Sequence, residues 1–141
     1  RIDLATQALS DYTGTGSLWS GSEQAGENRL GVAPDDGEQV AVTTLLDLCQ
    51  SRNIDRIRAL KIDIEGHEER VLGHFFANAP DSLWPQGIVI EDVHDDQALI
   101  SRLVHEHAYH VEGRTKRNVL LRRQPSIAQS VPSGVAREPA A

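Results

Sequence analysis

The chain has 141 residues, a length that suits one domain with its own buried core. Its 21 acidic and 14 basic residues leave a formal net charge of -7, which argues against nucleic acid as the main partner. A mean hydropathy of -0.38, with no apolar run of about 18 residues, excludes a transmembrane helix.

Residues 1–9 partly alternate, with Ile2, Leu4, Ala8 and Leu9 apolar, and predict a strand ending at Ser10 and Asp11. Residues 12–37 hold Gly14, Gly16, Gly21, Gly26, Gly31 and Gly37, and so predict a loop with a short hairpin around Ser17–Ser20. Gln39–Val42 is a short strand. Thr43 or Thr44 then caps a helix to about Arg52, with Leu45, Leu46 and Leu48 inward and Asn53 as its stop. Ala59–Ile64 reads as a short apolar strand and Glu68–Ala77 as a helix, with Val71, Leu72, Phe75 and Phe76 at helical spacing. Gly87–Glu91 is a continuous apolar run, the mark of a strand covered on both faces. Asp95 or Asp96 caps a helix to about His107. Tyr109–Glu112 and Asn118–Arg122 form an antiparallel hairpin around a turn at Gly113–Arg117. From Gln124 on, three prolines and no periodicity predict a disordered tail, so the domain is residues 1–123 and the tail 124–141.

Strands alternating with helices make an α/β pattern. Ligands of open parallel sheets bind beyond the carboxyl ends of the strands. Asp63 and Glu65 follow one such strand, and Glu91, Asp92, His94 and Asp95 follow another. Carboxylates gathered there could orient a hydroxyl, move a proton or hold Mg²⁺. The plainer alternative is helix capping, since acids ahead of a helix satisfy free amides and its dipole. His105, His107 and His110 straddle a helix end and a strand start and make a poor metal set. Arg114, Lys116, Arg117, Arg122 and Arg123 read as a solvated hairpin. Trp19 and Trp84 read as packing residues. Gly14-x-Gly16 with Gly21 does not have the spacing of a dinucleotide fingerprint.

Cys49 is the one cysteine, so no internal disulfide forms, and with no signal peptide the expected compartment is the cytoplasm. No methionine occurs, even at position 1, which leads to the expectation that the chain is a piece of a longer or processed protein.

The strings ALSDYTGTGSL, VTTLLDL, IRALKIDIEGHEERVLGH and IVIED, in that order, resemble the FkbM family of methyltransferases over roughly residues 5–122. The resemblance implies a Rossmann-like class I methyltransferase sheet with a C-terminal antiparallel hairpin. It implies S-adenosylmethionine as cofactor and a hydroxyl of a small molecule or sugar as acceptor. The family's Gly-rich first loop and the acid ending its second strand have no counterpart here. The expectation is therefore a C-terminal part of the domain, with N-terminal strands absent between residues 1–9 and 59–64. Ser10 and Asp11 resemble the turn beside the adenine. Asp63 and Glu65 resemble the active-site turn next to the methyl donor, and Glu91 the acid ending the next strand. His67 stands where the motif is permissive and could act as a general base at neutral pH. Two other classes stay open: a metal-dependent α/β hydrolase, for which Asp63-x-Glu65 is the nearest approach to a nucleophile motif, and a non-catalytic remnant or interaction module of the same fold.

Overall fold

The computed structural model describes residues 2–20, 28–31, 37–91 and 97–124. Asp92, His94, Asp95, Asp96 and the tail from 125 onward lie outside these described residues, as do segments 21–27 and 32–36.

Eight strands and three helices are present among the described residues, with a single 3₁₀ turn at Asp81–Leu83. The strands are β1 (Ala8–Ser10), β2 (Gly14–Ser20), β3 (Asn28–Gly31), β4 (Glu38–Thr44), β5 (Ala59–Ile62), β6 (Gly87–Glu91), β7 (Tyr109–Arg114) and β8 (Asn118–Arg123). The helices are α1 (Leu45–Ser51), α2 (Glu68–Asn78) and α3 (Gln97–Glu106). The mixed α/β class and the C-terminal hairpin are as expected. The strands form two four-stranded sheets, β1-β4-β2-β3 and β5-β6-β8-β7. The first strand and the 59–64 strand therefore sit at the edges of separate sheets.

The glycine-rich segment departs most from expectation. Where composition predicts a loop with a short hairpin around Ser17–Ser20, β2 runs antiparallel to β3 through those residues and also to β4, with Gly14 opposite Val42 and Ser17 opposite Gly31. Backbone pairing of β2 with β3 on one side and β4 on the other overrides the local turn preference of the glycines.

Helix α1 begins where sequence places it. The Thr44 hydroxyl accepts the Asp47 amide (3.0 Å), and the Thr13 hydroxyl donates to the Asp47 carboxylate. Asn53, at φ +52°, ends it. Leu45 and Cys49 are its buried residues, while Leu46 packs half-buried against the core and Leu48 is half-buried. In β6, Ile88 and Ile90 are fully buried and Val89 is half-buried, so one face carries the core and the other is partly covered.

The core lies between the second sheet and the helices. Val71, Leu72, Phe75 and Phe76 of α2 meet Leu99, Ile100 and Leu103 of α3 and Ile88, Ile90, Val119 and Leu121 of the sheet. Phe76 makes edge contacts with Phe75, Trp84 and Tyr109, and stacks on His107 at 4.5 Å. Trp84 is thus a packing residue, its indole N–H donating to the Ala79 carbonyl (3.2 Å). Tyr109 is 1% exposed and its hydroxyl donates to the Pro85 carbonyl at 2.5 Å. Burial pushes this phenol well above its ordinary range. Replacing Tyr109 by Phe leaves the Pro85 carbonyl without that donor and is expected to cost about 1–3 kcal/mol in a urea unfolding series.

Candidate active site

Strand β5 stops at Ile62, so Asp63 and Glu65 do not share a side through strand alternation. A turn brings them together. The His67 amide donates to the Ile64 carbonyl (3.3 Å), and the two central residues, Glu65 and Gly66, have φ of +53° and +88°. Two positive φ values in succession are the pattern of a type I′ turn. Gly66 adopts it freely; Glu65 does so against its Cβ, at a cost of about 1–2 kcal/mol. Such outliers persist where the surroundings hold them, and they concentrate at functional sites.

Strands β5 and β6 are parallel neighbours, with Ile62 opposite Ile90. Their carboxyl ends therefore lie side by side. Ligand oxygens of Asp63, Glu65 and Glu91 all fall within 4.8 Å of one another, the one such cluster among the described residues. His105, His107 and His110 do not form one. Lys61 donates to the Asp63 carboxylate at 2.5 Å. Arg117, from the turn between β7 and β8, lies 4.0 Å from Glu91.

The three acids share their charge unevenly. The Lys61 ammonium bonded to Asp63 holds its carboxyl below the ordinary range. Glu91, beside the Asp63 carboxylate first and Glu65 second, is pushed up. Of the three acids, Asp63 is thus the one that most readily stays ionised and Glu91 the one that most readily takes up a proton.

His67 belongs to a second group. Its Nε2 lies 3.2 Å from the Ser10 hydroxyl, which donates to the Asp11 carboxylate at 3.0 Å. With the serine proton committed to Asp11, Nε2–H is the donor. Arg70 stands 3.9 Å from Asp11. Partial burial first, and Arg70 second, keep the His67 imidazole neutral at neutral pH. Ser10 is fully buried; Asp11 offers an exposed carboxylate at the end of β1, its pKa lowered by the serine hydroxyl. This is not a nucleophilic triad, because the serine hydroxyl points its proton at the acid and not at the imidazole. Of the residues singled out in the sequence, the fold brings Asp63, Glu65 and Glu91 into one group and sets the His67 side chain beside Ser10 and Asp11 in another.

Residues 3–112 match the Methyltransferase FkbM domain. The chain belongs to the FkbM methyltransferase family. A relative from Streptomyces tacrolimicus, 31-O-demethyl-FK506 methyltransferase FkbM, is 37% identical over 78 residues, which are 53% of this chain and 28% of that protein. The chain thus spans well under half of that relative's length. No solved structure matches it. Among the described residues, no helix is long and apolar enough to cross a membrane.

Lys61, Glu68 and Arg117 also belong to the site's surroundings and were not singled out by sequence as parts of it. Lys61 alternates with Asp63 along the chain, a spacing that does carry the signal. Glu68 and Arg117 carry none: one depends on burial, the other on where the hairpin turn falls.

Two predictions follow from this geometry. Gly66→Ala is expected to destabilise the fold by about 1–2 kcal/mol in denaturant unfolding, since alanine at φ +88° meets the left-handed penalty. In a ¹³C carboxyl titration, Asp63 is expected to titrate below and Glu91 above ordinary carboxylates. The contribution of Asp63 to stability is full above the ordinary range and lost as pH falls through its lowered value. That of Glu91 has the opposite sign: it is full below the ordinary range and lost as pH rises through the raised value. Asp63→Ala should lower the Glu91 midpoint towards the ordinary range.

Proposed function

We propose that the protein carrying this chain is an S-adenosylmethionine-dependent O-methyltransferase acting on a hydroxyl of a small molecule or sugar. The observation that carries the reading is the convergence of Asp63, Glu65 and Glu91 at the adjoining ends of two parallel strands, in a chain of the FkbM family. The name of the Streptomyces tacrolimicus relative, which places a methyl on an oxygen, supports a hydroxyl acceptor.

The donor set fits part of such a cofactor. An acidic cluster suits the cationic sulfonium end, and the exposed Asp11 carboxylate suits the exocyclic amine of an adenine. When bound, the cofactor supplies an electrophilic methyl group. The chain's own residues then have three tasks. Asp63 or Glu65 accepts a hydrogen bond from the acceptor hydroxyl and fixes its direction; positioning of this kind supplies much of a transfer rate. A carboxylate takes up the proton as the oxygen attacks, and Glu91, with its raised pKa, is the group best matched to keep it. The neutral His67 imidazole is also competent as a base, although its Nε2 is engaged by Ser10. The fully buried Ser10 acts through His67 and Asp11, leaving Asp11 as the side chain of the pair that meets a ligand.

Calorimetric titration of S-adenosylhomocysteine tests the reading, using this chain and a version extended upstream of Arg1. Tight binding by the extended protein is expected, with weak or no binding by the 141 residues alone. Failure of both folded proteins to bind would contradict it. In the extended protein, Asp63→Ala is expected to abolish turnover while leaving S-adenosylhomocysteine affinity largely intact.

A further inference from the structure

Glu68 stands apart from the other acids of the site. It is 3% exposed, the one buried carboxylate among the described residues. Burying a carboxylate costs several kcal/mol unless it is paired or hydrogen-bonded. Its Oε1 accepts the Ile64 amide at 2.9 Å. Glu68 is the first residue of α2, and an acid there would suit the helix dipole even if exposed. The next residue, Glu69, does so from the surface, paired with Arg102. Glu68 instead reaches back past the His67 cap to the first residue of the turn, so capping the helix does not account for its burial.

Ile64 lies between Asp63 and Glu65. Its amide is part of the peptide unit that joins Asp63 to the turn, and its carbonyl is the acceptor that closes the turn at His67. Fixing that amide fixes where both flanking side chains leave the backbone. Glu65 holds an unfavourable φ of +53°, and a charge-assisted bond on the neighbouring residue is the kind of restraint that keeps such a conformation populated.

We infer that Glu68 is a positioning residue, whose buried carboxylate, through the Ile64 amide, holds Asp63 and Glu65 in the geometry that the reaction needs. The inference rests on the methyltransferase reading of Asp63 and Glu65. It adds a residue that touches neither cofactor nor acceptor.

The test compares Glu68→Gln and Glu68→Leu in the upstream-extended protein. Release of S-adenosylhomocysteine from S-adenosylmethionine is followed with a panel of sugar and polyol acceptors, and Ile64 amide exchange is followed by NMR. Glutamine keeps an acceptor oxygen at the same reach; leucine keeps only the bulk. Leucine is expected to lower kcat about 100-fold with the KM for S-adenosylmethionine unchanged, because misplacement of a reacting group acts on the chemical step. Glutamine is expected to restore most of that loss and to keep the Ile64 amide protected. Wild-type turnover in the leucine variant would overturn the inference. So would equal losses in both variants with Ile64 still protected, since the charge and not the tether would then matter. If leucine fails to fold by circular dichroism, Glu68→Asp replaces it: it keeps the charge, is one methylene short of Ile64, and should show the same kcat loss. If the wild-type protein turns over no acceptor, the methyltransferase reading fails separately. Ile64 exchange then decides: faster in Glu68→Leu and restored in Glu68→Gln supports the tether, and no change refutes it.

Discussion

The chain must leave β5 and enter α2 within a few residues, and that reversal at Ile64–His67 is the constraint on which the site depends. A wider loop would let Asp63 and Glu65 drift apart. The reversal is tight because Gly66 accepts φ +88° and because Glu65 is made to accept φ +53°. Two hydrogen bonds hold it, one into the Ile64 carbonyl from His67 and one from the Ile64 amide to Glu68. Behind it stands α2, whose Val71, Leu72, Phe75 and Phe76 anchor it in the core. The strained turn is therefore mounted on one of the best-packed elements of the molecule, which is where strain can be stored without melting the element.

The same turn joins the two sheets. His67, at its exit, bonds to the buried Ser10 hydroxyl at the end of β1. Arg70, in the first turn of α2, faces Asp11. The second sheet thus supplies an acidic cluster, and the first presents an exposed carboxylate at the end of β1, with α2 between them. The cluster is kept from simple repulsion by Lys61 and Arg117. A group of acids held close together, with one of them raised in pKa, is an arrangement in which one carboxylate is a better proton acceptor than its neighbours.

Much of this was legible in the sequence, for identifiable reasons. Helices α1 and α2 carry helical spacing with a threonine cap and a glycine-marked start, and strand β6 is an apolar run. All three fall within a residue or two of expectation. The convergence of Asp63 with Glu91 was legible because parallel strands place their carboxyl ends together. The glycine-rich segment was not, since strand pairing across β2, β3 and β4 depends on a partner far along the chain and overrides local turn preference. The division into two sheets was also not legible, because no local pattern says which strands will pair. Nor was Glu68, whose identity as an acid after a glycine turn looks like ordinary helix capping until its burial is known.

The most direct measurement is a map of backbone and side-chain NMR shifts in the upstream-extended protein as S-adenosylhomocysteine is added. The account predicts that the largest changes fall on residues 63–67, on Glu91 and on Asp11, with the outer faces of α3 and β7 unmoved. Saturable binding that shifts some other surface and leaves the Ile64–His67 turn untouched would contradict it.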